Sequence, residues 1–325
     1  LVSINDSRPL ESRPIESGRV LSQSQTASTR TWSAGSRRRR ENLTGWLFIL
    51  PALIGFTVFY LLPTIRAIEI SLTDWNLMRA PKFIGLDNYV KLMGDPRFWQ
   101  SVKITCLYVV YNIPLQTALG LLLAVLLDRL SKSVAVRAIV VAPYLLSNVV
   151  VALIFMWLLD PILGVSNAFL NLIGIPRQPF LTTPGLALIS IVGINIWRHT
   201  GLIALLFYAG LQAIPKSLYE AAKIDGASEL RMFWHITLPL LRPVLVFIVV
   251  TSVIGSFQIF DTIAVATRGG PVDSTSAIIW YIYESAFRFS KMGYASAMSV
   301  LLFLVLISVT LLQMRVLRAD SSDLE

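Results

Sequence analysis

Six long apolar stretches, at about 43–66, 104–127, 137–159, 186–209, 240–264 and 294–316, constrain this chain more than any other feature. A hydrocarbon layer about 30 Å thick takes roughly 20 apolar residues per helical crossing. Inside it, backbone N–H and C=O groups find no water, so a segment that crosses alone must be a helix. Six such stretches in 325 residues predict an all-α integral membrane protein with six transmembrane helices. The composition agrees: 55% of residues are hydrophobic and 14% charged, where soluble domains carry about a quarter.

The net charge of +9 would suit a nucleic-acid partner, but the cations gather at the flanks of the apolar stretches. That is the pattern of cytoplasmic loops. Arg37-Arg38-Arg39-Arg40 directly precedes the first stretch and reads as an anchor at anionic headgroups, a contact with membrane lipid and not with nucleic acid. With the N-terminus inside, the loops near 128–136 (Arg129, Lys132, with Arg137 beyond) and 210–240 (Lys216, Lys223, Arg231) are cytoplasmic. So is the C-terminus, with Arg315 and Arg318. The loop from about 67 to 103 runs against the rule, with Arg79, Lys82, Lys91, Arg97 and Lys103 on the outside. Residues 1–36 are rich in Ser, Arg, Pro and Gln, a composition that cannot bury enough surface to order itself. The expected organisation is a disordered basic tail over 1–42, a membrane domain over 43–318 and a short tail over 319–325. No apolar h-region follows the early arginines, so a cleavable signal is not expected.

Little points to catalysis. The two histidines, His199 and His235, are too far apart in sequence for an H-E-x-x-H site, and no G-x-x-x-x-G-K-[ST] phosphate loop occurs. The single cysteine, Cys106, excludes an internal disulfide and is expected as a small buried residue. Pro51, Pro63, Pro114 and Pro143 interrupt apolar stretches, and the carbonyls they free need partners on neighbouring helices.

The loop at 215–239 is the most informative segment. Ser217-Leu218-Tyr219-Glu220 reads as a capping box, followed by a helix containing Ala221 and Ala222, both strong helix formers. Asp225-Gly226 supplies a turn. A second short helix starts at Ser228 and carries Leu230, Phe233 and Trp234, and Pro239 is expected to open the fifth crossing. Large apolar side chains at the tip of a polar loop call for a partner groove.

The register Glu220-Ala221-Ala222-x3-Gly226-x9-Ile236-x-Leu238-Pro239 resembles the EAA loop of the permease subunits of ATP-binding-cassette (ABC) importers. Phe83-x-Gly85-Leu86-x-Asn88-Tyr89 and Gly269-Gly270-Pro271 are similar to segments of the carbohydrate branch, the maltose/glycerol-3-phosphate-type permeases. The resemblance implies the type I ABC importer transmembrane fold over 43–318. It implies a second, related permease as partner, two ATPase copies that bind ATP and Mg, and an extracytoplasmic solute-binding protein. It places the chain in a bacterial or archaeal cytoplasmic membrane with no cofactor of its own. It also implies a transport cavity lined by polar and aromatic residues of the fourth and fifth crossings: Asn195, Arg198, His199, Phe257, Gln258 and Asp261. For Arg198 and Asp261 a structural ion pair or snorkelling competes with that role, and for His199 simple packing does. Asn112, Gln116 and Asn148 are expected to make interhelical hydrogen bonds. An ion-coupled secondary transporter is the rival class, but it would leave the 220–239 register unexplained. A non-sugar cargo and a homodimer both stay open.

Overall fold

The computed structural model describes residues 34–130 and 133–316. The tails expected at either end, with Lys132 and Arg318, fall largely or wholly outside those residues. The described residues divide into two compact units, one up to Phe59 and the other from Tyr60. In the first, helix α1 (Ala34–Phe56) begins within the expected tail and includes the backbone of the arginine run.

In the second unit, α2 (Leu62–Ser71) leads to a two-stranded ribbon, β1 (Thr73–Asp74) antiparallel to β2 (Lys82–Phe83), and to α3 (Asp87–Met93). Next come α4 (Pro96–Leu130), α5 (Val134–Leu145), α6 (Asn148–Leu158), α7 (Val165–Leu172) and α8 (Pro184–Ala213). The loop helices α9 (Lys216–Ile224), α10 (Glu229–Met232) and α11 (Leu238–Leu240) precede α12 (Arg242–Phe257) and α13 (Asp261–Ala266). The described chain ends with α14 (Ile278–Tyr283) and α15 (Met292–Val316).

Among the described residues five spans are long and apolar enough to cross a membrane: Thr44–Ser71, Pro96–Leu130, Pro184–Ala213, Arg242–Ala266 and Met292–Val316. The stretch expected as the third crossing, with Pro143 inside it, is a pair, α5 and α6, bent by 91°, and makes a sixth span if the pair is taken as one. Leu146 and Ser147 take extended backbone conformations at the break, three residues beyond Pro143. The second crossing begins at Pro96, eight residues earlier than expected, because proline is well suited to the first turn of a helix.

The spans pack through small residues, as membrane helices do when no hydrophobic force drives them together. A Cβ on Gly120 of α4 would lie 2.3 Å from Ile203 Cγ2 of α8. One on Gly201 of α8 would lie 1.9 Å from the Val140 carbonyl oxygen of α5. Cys106 corrects the expectation of burial. It is exposed on α4, on the face turned away from neighbours such as Ile104 and Tyr108.

The motifs around Asn88, Arg97 and Pro271 are structural clips. Asn88 is buried and its Nδ2 donates to the carbonyls of Ser71 (2.8 Å) and Thr73 (3.0 Å), tying α3 to the end of α2. Arg97 Nη2 reaches Asp273, two residues after Pro271, at 3.0 Å, and the buried Glu284 at 2.7 Å. The Asp95-Pro96-Arg97 and Gly269-Gly270-Pro271 segments thus meet through charge. Asp95 Oδ2 accepts from the hydroxyls of Tyr281 (2.6 Å) and Tyr294 (2.5 Å). Burial pushes the Asp95 carboxyl up, but these bonds and the backbone N–H groups of Arg97 and Phe98 outweigh it and hold it below its ordinary value. Burial and the bond to Asp95 push the Tyr281 phenol up to about 12.

Candidate functional site: a mid-span cavity and an exposed loop

A polar layer lies across the middle of the spans. Along α4 the buried apolar residues Ile104 and Tyr108 come first, then Asn112 and Gln116, then Ala124. Along α8 the order is Ile191 and Ile196, with Asn195 and His199 at the same level, then Ile203 and Phe207. Two apolar clusters therefore bracket the layer, one around Ile191, Ile263 and Trp280 and the other around Ile203, Phe207 and Ile248. The spacing Asn112–Gln116 is four residues, which sets both amides on one helical face.

Those amides bind one another. Asn195 Nδ2 donates to Asn112 Oδ1 (2.9 Å) and Gln116 Oε1 (3.2 Å), and Asn112 Nδ2 donates to Ser256 Oγ of α12 (3.1 Å). Asn148 Nδ2, at the start of α6, donates to Asp261 Oδ2 at 2.8 Å. The interhelical bonds expected of Asn112, Gln116 and Asn148 are thus present. Together these groups line a cavity of about 320 Å³, with Tyr144 and Phe260 contributing aromatic surface.

Of the six residues expected to line a transport path, Asn195, His199, Gln258 and Asp261 line this cavity. Gln258 sits at the C-terminal cap of α12, and Asp261 lies in the first turn of α13 after a break in the span. Phe257 does not join them. It lies against Phe98, Val102 and Met298 in an apolar recess. One residue further along α12 than Ser256, it is turned about 100° away from the polar face.

Arg198 is also not in the lining, and it forms no ion pair with Asp261. Its Nε and Nη2 donate to the Leu146 carbonyl (3.2 and 3.0 Å), Nη2 also to that of Tyr144 (3.1 Å), and Nη1 to His199 Nε2 (3.0 Å). The guanidinium stacks over the Tyr144 ring at 5.1 Å. The bend after α5 leaves carbonyls without helical partners, and the negative end of the helix dipole attracts a cation. Arginine has only donors, so His199 Nε2 is the acceptor. His199 Nδ1 therefore carries the proton and donates to the Asn195 carbonyl at 3.0 Å.

Sequence reasoning missed Tyr144, Thr251, Ser252 and Phe260 in this lining. Tyr144 carried no signal, because its place depends on the bend. Thr251, Ser252 and Ser256 fall on or near one face of α12, a stripe of hydroxyls that could have pointed to the cavity.

The second site is the loop. Helix α9 starts with Pro215 as N-cap, and Ser217 makes no capping bond, so the expected capping box does not form. The extended Ile214–Pro215 link sets the start of the helix instead. Glu220, Ala221 and Asp225 are exposed along α9, with Ala222 partly covered. Asp225 caps the helix, and Gly226 follows at φ 75° in the left-handed region where a side chain would be strained. Ser228 does cap α10, its Oγ accepting from Arg231 N at 3.4 Å. Ile224 (87% exposed), Leu230 (68%) and Trp234 (56%) project outward, with Phe233 half-buried beside Trp234 at 5.6 Å. A π-turn over Phe233–Thr237 precedes Pro239, where proline removes the N–H that would bond four residues back. Pro239 sits in α11 and does not open the crossing, which begins at Arg242-Pro243. The Tyr219 and Thr237 hydroxyls (2.9 Å) pin the loop to itself, and Arg129 Nη2 with Glu229 (2.7 Å) pins it to the end of α4.

Residues 116–320 match the family described as "Binding-protein-dependent transport system inner membrane component". The lactose transport system permease protein LacF of Rhizobium radiobacter is 37% identical over 292 residues, covering 87% of this chain and 97% of the relative. The trehalose/maltose transport system permease protein MalF of Thermococcus litoralis is 36% identical over 279 residues, 85% of this chain and 94% of the relative. Among solved structures, a chain of a bacterial ABC transporter involved in the import of the acidic polysaccharide alginate superposes with a TM-score of 0.77. It is 25% identical and covers 88% of this chain and 99% of that one. With its bundle of crossing helices, its mid-span polar layer and its exposed loop, this chain belongs to the family of binding-protein-dependent transport system inner membrane components, the permeases of ABC importers, and has the type I importer transmembrane fold.

Proposed function

We propose that this chain is a carbohydrate-importing permease whose path runs through the mid-span cavity and whose 215–239 loop is gripped by a separate ATPase subunit. The observation that carries the reading is the loop. Ile224, Leu230 and Trp234 lie on a rigid, self-braced helix–turn–helix with their apolar surfaces in the open. Such surface is stabilised only when a partner covers it. Closure of two ATPase copies, binding ATP and Mg, would then move the two permeases' loops together and reopen the cavity to the other side. A second, related permease completes the path, and an extracytoplasmic binding protein delivers the cargo. The N- and C-termini lie on the cytoplasmic side with the loop.

Support for a carbohydrate comes from the relatives and from the lining. Relatives named for lactose and for trehalose/maltose cover nearly the whole chain. Amide, hydroxyl and aromatic groups, the means by which sugars are bound, face the cavity. Asn195, His199, Gln258 and Asp261 are the proposed binding residues. Because one structural neighbour imports an acidic polysaccharide, kinship alone leaves the charge of the cargo open. The test is crosslinking from cysteines placed at 224, 230 and 234 in native membranes, together with ATP-driven sugar uptake in vesicles. Adducts with an ATPase subunit are expected. Adducts with none, or labelling of these positions from the extracytoplasmic side, would sink the reading.

A further inference from the structure

We infer that the cavity selects uncharged carbohydrates and rejects those bearing phosphate or carboxylate groups, an inference that rests on the carbohydrate reading above. Asp261 lines the cavity, and its Oδ2 is engaged by Asn148. Among the described residues of the lining there is no lysine or arginine, so Asp261 is its one formal charge. The nearest candidate cation, Arg198, is committed elsewhere. Nε and Nη2 are taken by the Leu146 and Tyr144 carbonyls, and one of the two Nη1 N–H groups by His199. Its charge is matched by the carbonyl end of α5, and it has no free fork to offer an anion. His199, donating from Nδ1 and accepting at Nε2, is uncharged in this arrangement.

What remains facing the space is a set of amides and hydroxyls that both donate and accept. Asn148, Gln258 and Ser252 can exchange hydrogen bonds with sugar hydroxyls, Thr251, whose own proton goes to the Phe247 carbonyl, can accept one, and Tyr144 and Phe260 can cover a C–H face. An anionic substituent would meet the Asp261 carboxylate on a wall where no lysine or arginine of this chain's described lining can pair it. A buried charge without a partner is strongly disfavoured, and like charges at short range add to the penalty.

The experiment is saturation-transfer NMR on the intact importer complex purified without its binding protein, so that only the permease's preference is read. Lactose, maltose, trehalose, glucose and galactose are each compared with the matching 6-phosphate, and for the two monosaccharides with the uronate. The wild-type complex is expected to bind at least one neutral sugar at least about tenfold more tightly than its phosphate or uronate counterpart. Asp261→Asn is expected to narrow that gap to about threefold or less. An anionic counterpart bound as well as its neutral sugar by the wild type would overturn the inference without needing any variant. So would an Asp261→Asn complex that assembles normally and keeps the full gap. Transfer to neither series would instead overturn the carbohydrate reading beneath it.

Discussion

The loop at 215–239 and the mid-span cavity solve opposite problems. The loop holds apolar side chains in water, with Ile224 and Trp234 uncovered, while the cavity holds polar side chains at membrane depth. In the cavity nearly every amide is already bonded to a neighbour, from Asn195 to Asn112 and Gln116 and from Asn148 to Asp261. The loop's apolar surface is left open; the cavity's groups partner one another and so also join the helices. Damage to the cavity should therefore cost stability and transport together, whereas damage to the loop should cost transport alone.

Four variants test that contrast. Gly201→Leu drives a side chain into the Val140 carbonyl and should destabilise the α5–α8 crossing by about 3 kcal/mol. Thermal unfolding of the detergent-solubilised complex would show it, and a wild-type melting temperature would break the contrast from the cavity side. Ile224→Asp combined with Trp234→Asp should lower ATP-driven uptake about 100-fold, equivalent to about 2.7 kcal/mol, while the melting temperature stays put. A parallel loss of stability would show that the loop is part of the core. Gly226→Val places a β-branched residue at φ 75° with open space around it, so only backbone strain of about 1–2 kcal/mol is added. Uptake should drop roughly tenfold with membrane insertion intact; unimpaired coupling of ATP hydrolysis to transport would remove the turn from the mechanism. Arg129→Gln opens an exposed ion pair to Glu229, worth about 0.2–1 kcal/mol. Uptake should change less than about fivefold, and a larger loss would make that pair a main link between loop and bundle.

The two regions also differed in how far they could be read in advance. The loop was legible because its determinants are contiguous: Glu220, Ala221, Ala222 and Gly226 act through local helix and turn preferences, and the structure moves only its two ends, the cap from Ser217 to Pro215 and the start of the fifth crossing from Pro239 to Arg242. The cavity was partly legible. Asn195, His199, Gln258 and Asp261 stood out as polar groups in apolar stretches and do line it. Phe257 was misplaced because adjacent residues on a helix face different ways. Arg198 was misplaced because Pro143 announces an interruption of the 137–159 stretch but neither the 91° bend that follows nor the side chain that meets the freed carbonyls.

The sequence by itself determined that the chain crosses a membrane, roughly where it does so, and that a helix–turn–helix stands between two crossings. Those properties follow from hydrophobic length and from local backbone preference, which neighbours in sequence set. Only the tertiary structure decided that the third crossing breaks at Leu146–Ser147, that Arg198 closes that break, and that Asp261 is left as the charge facing the cavity. Each of these depends on groups from different helices meeting where water is scarce, so that every donor must take the acceptor packing brings within reach.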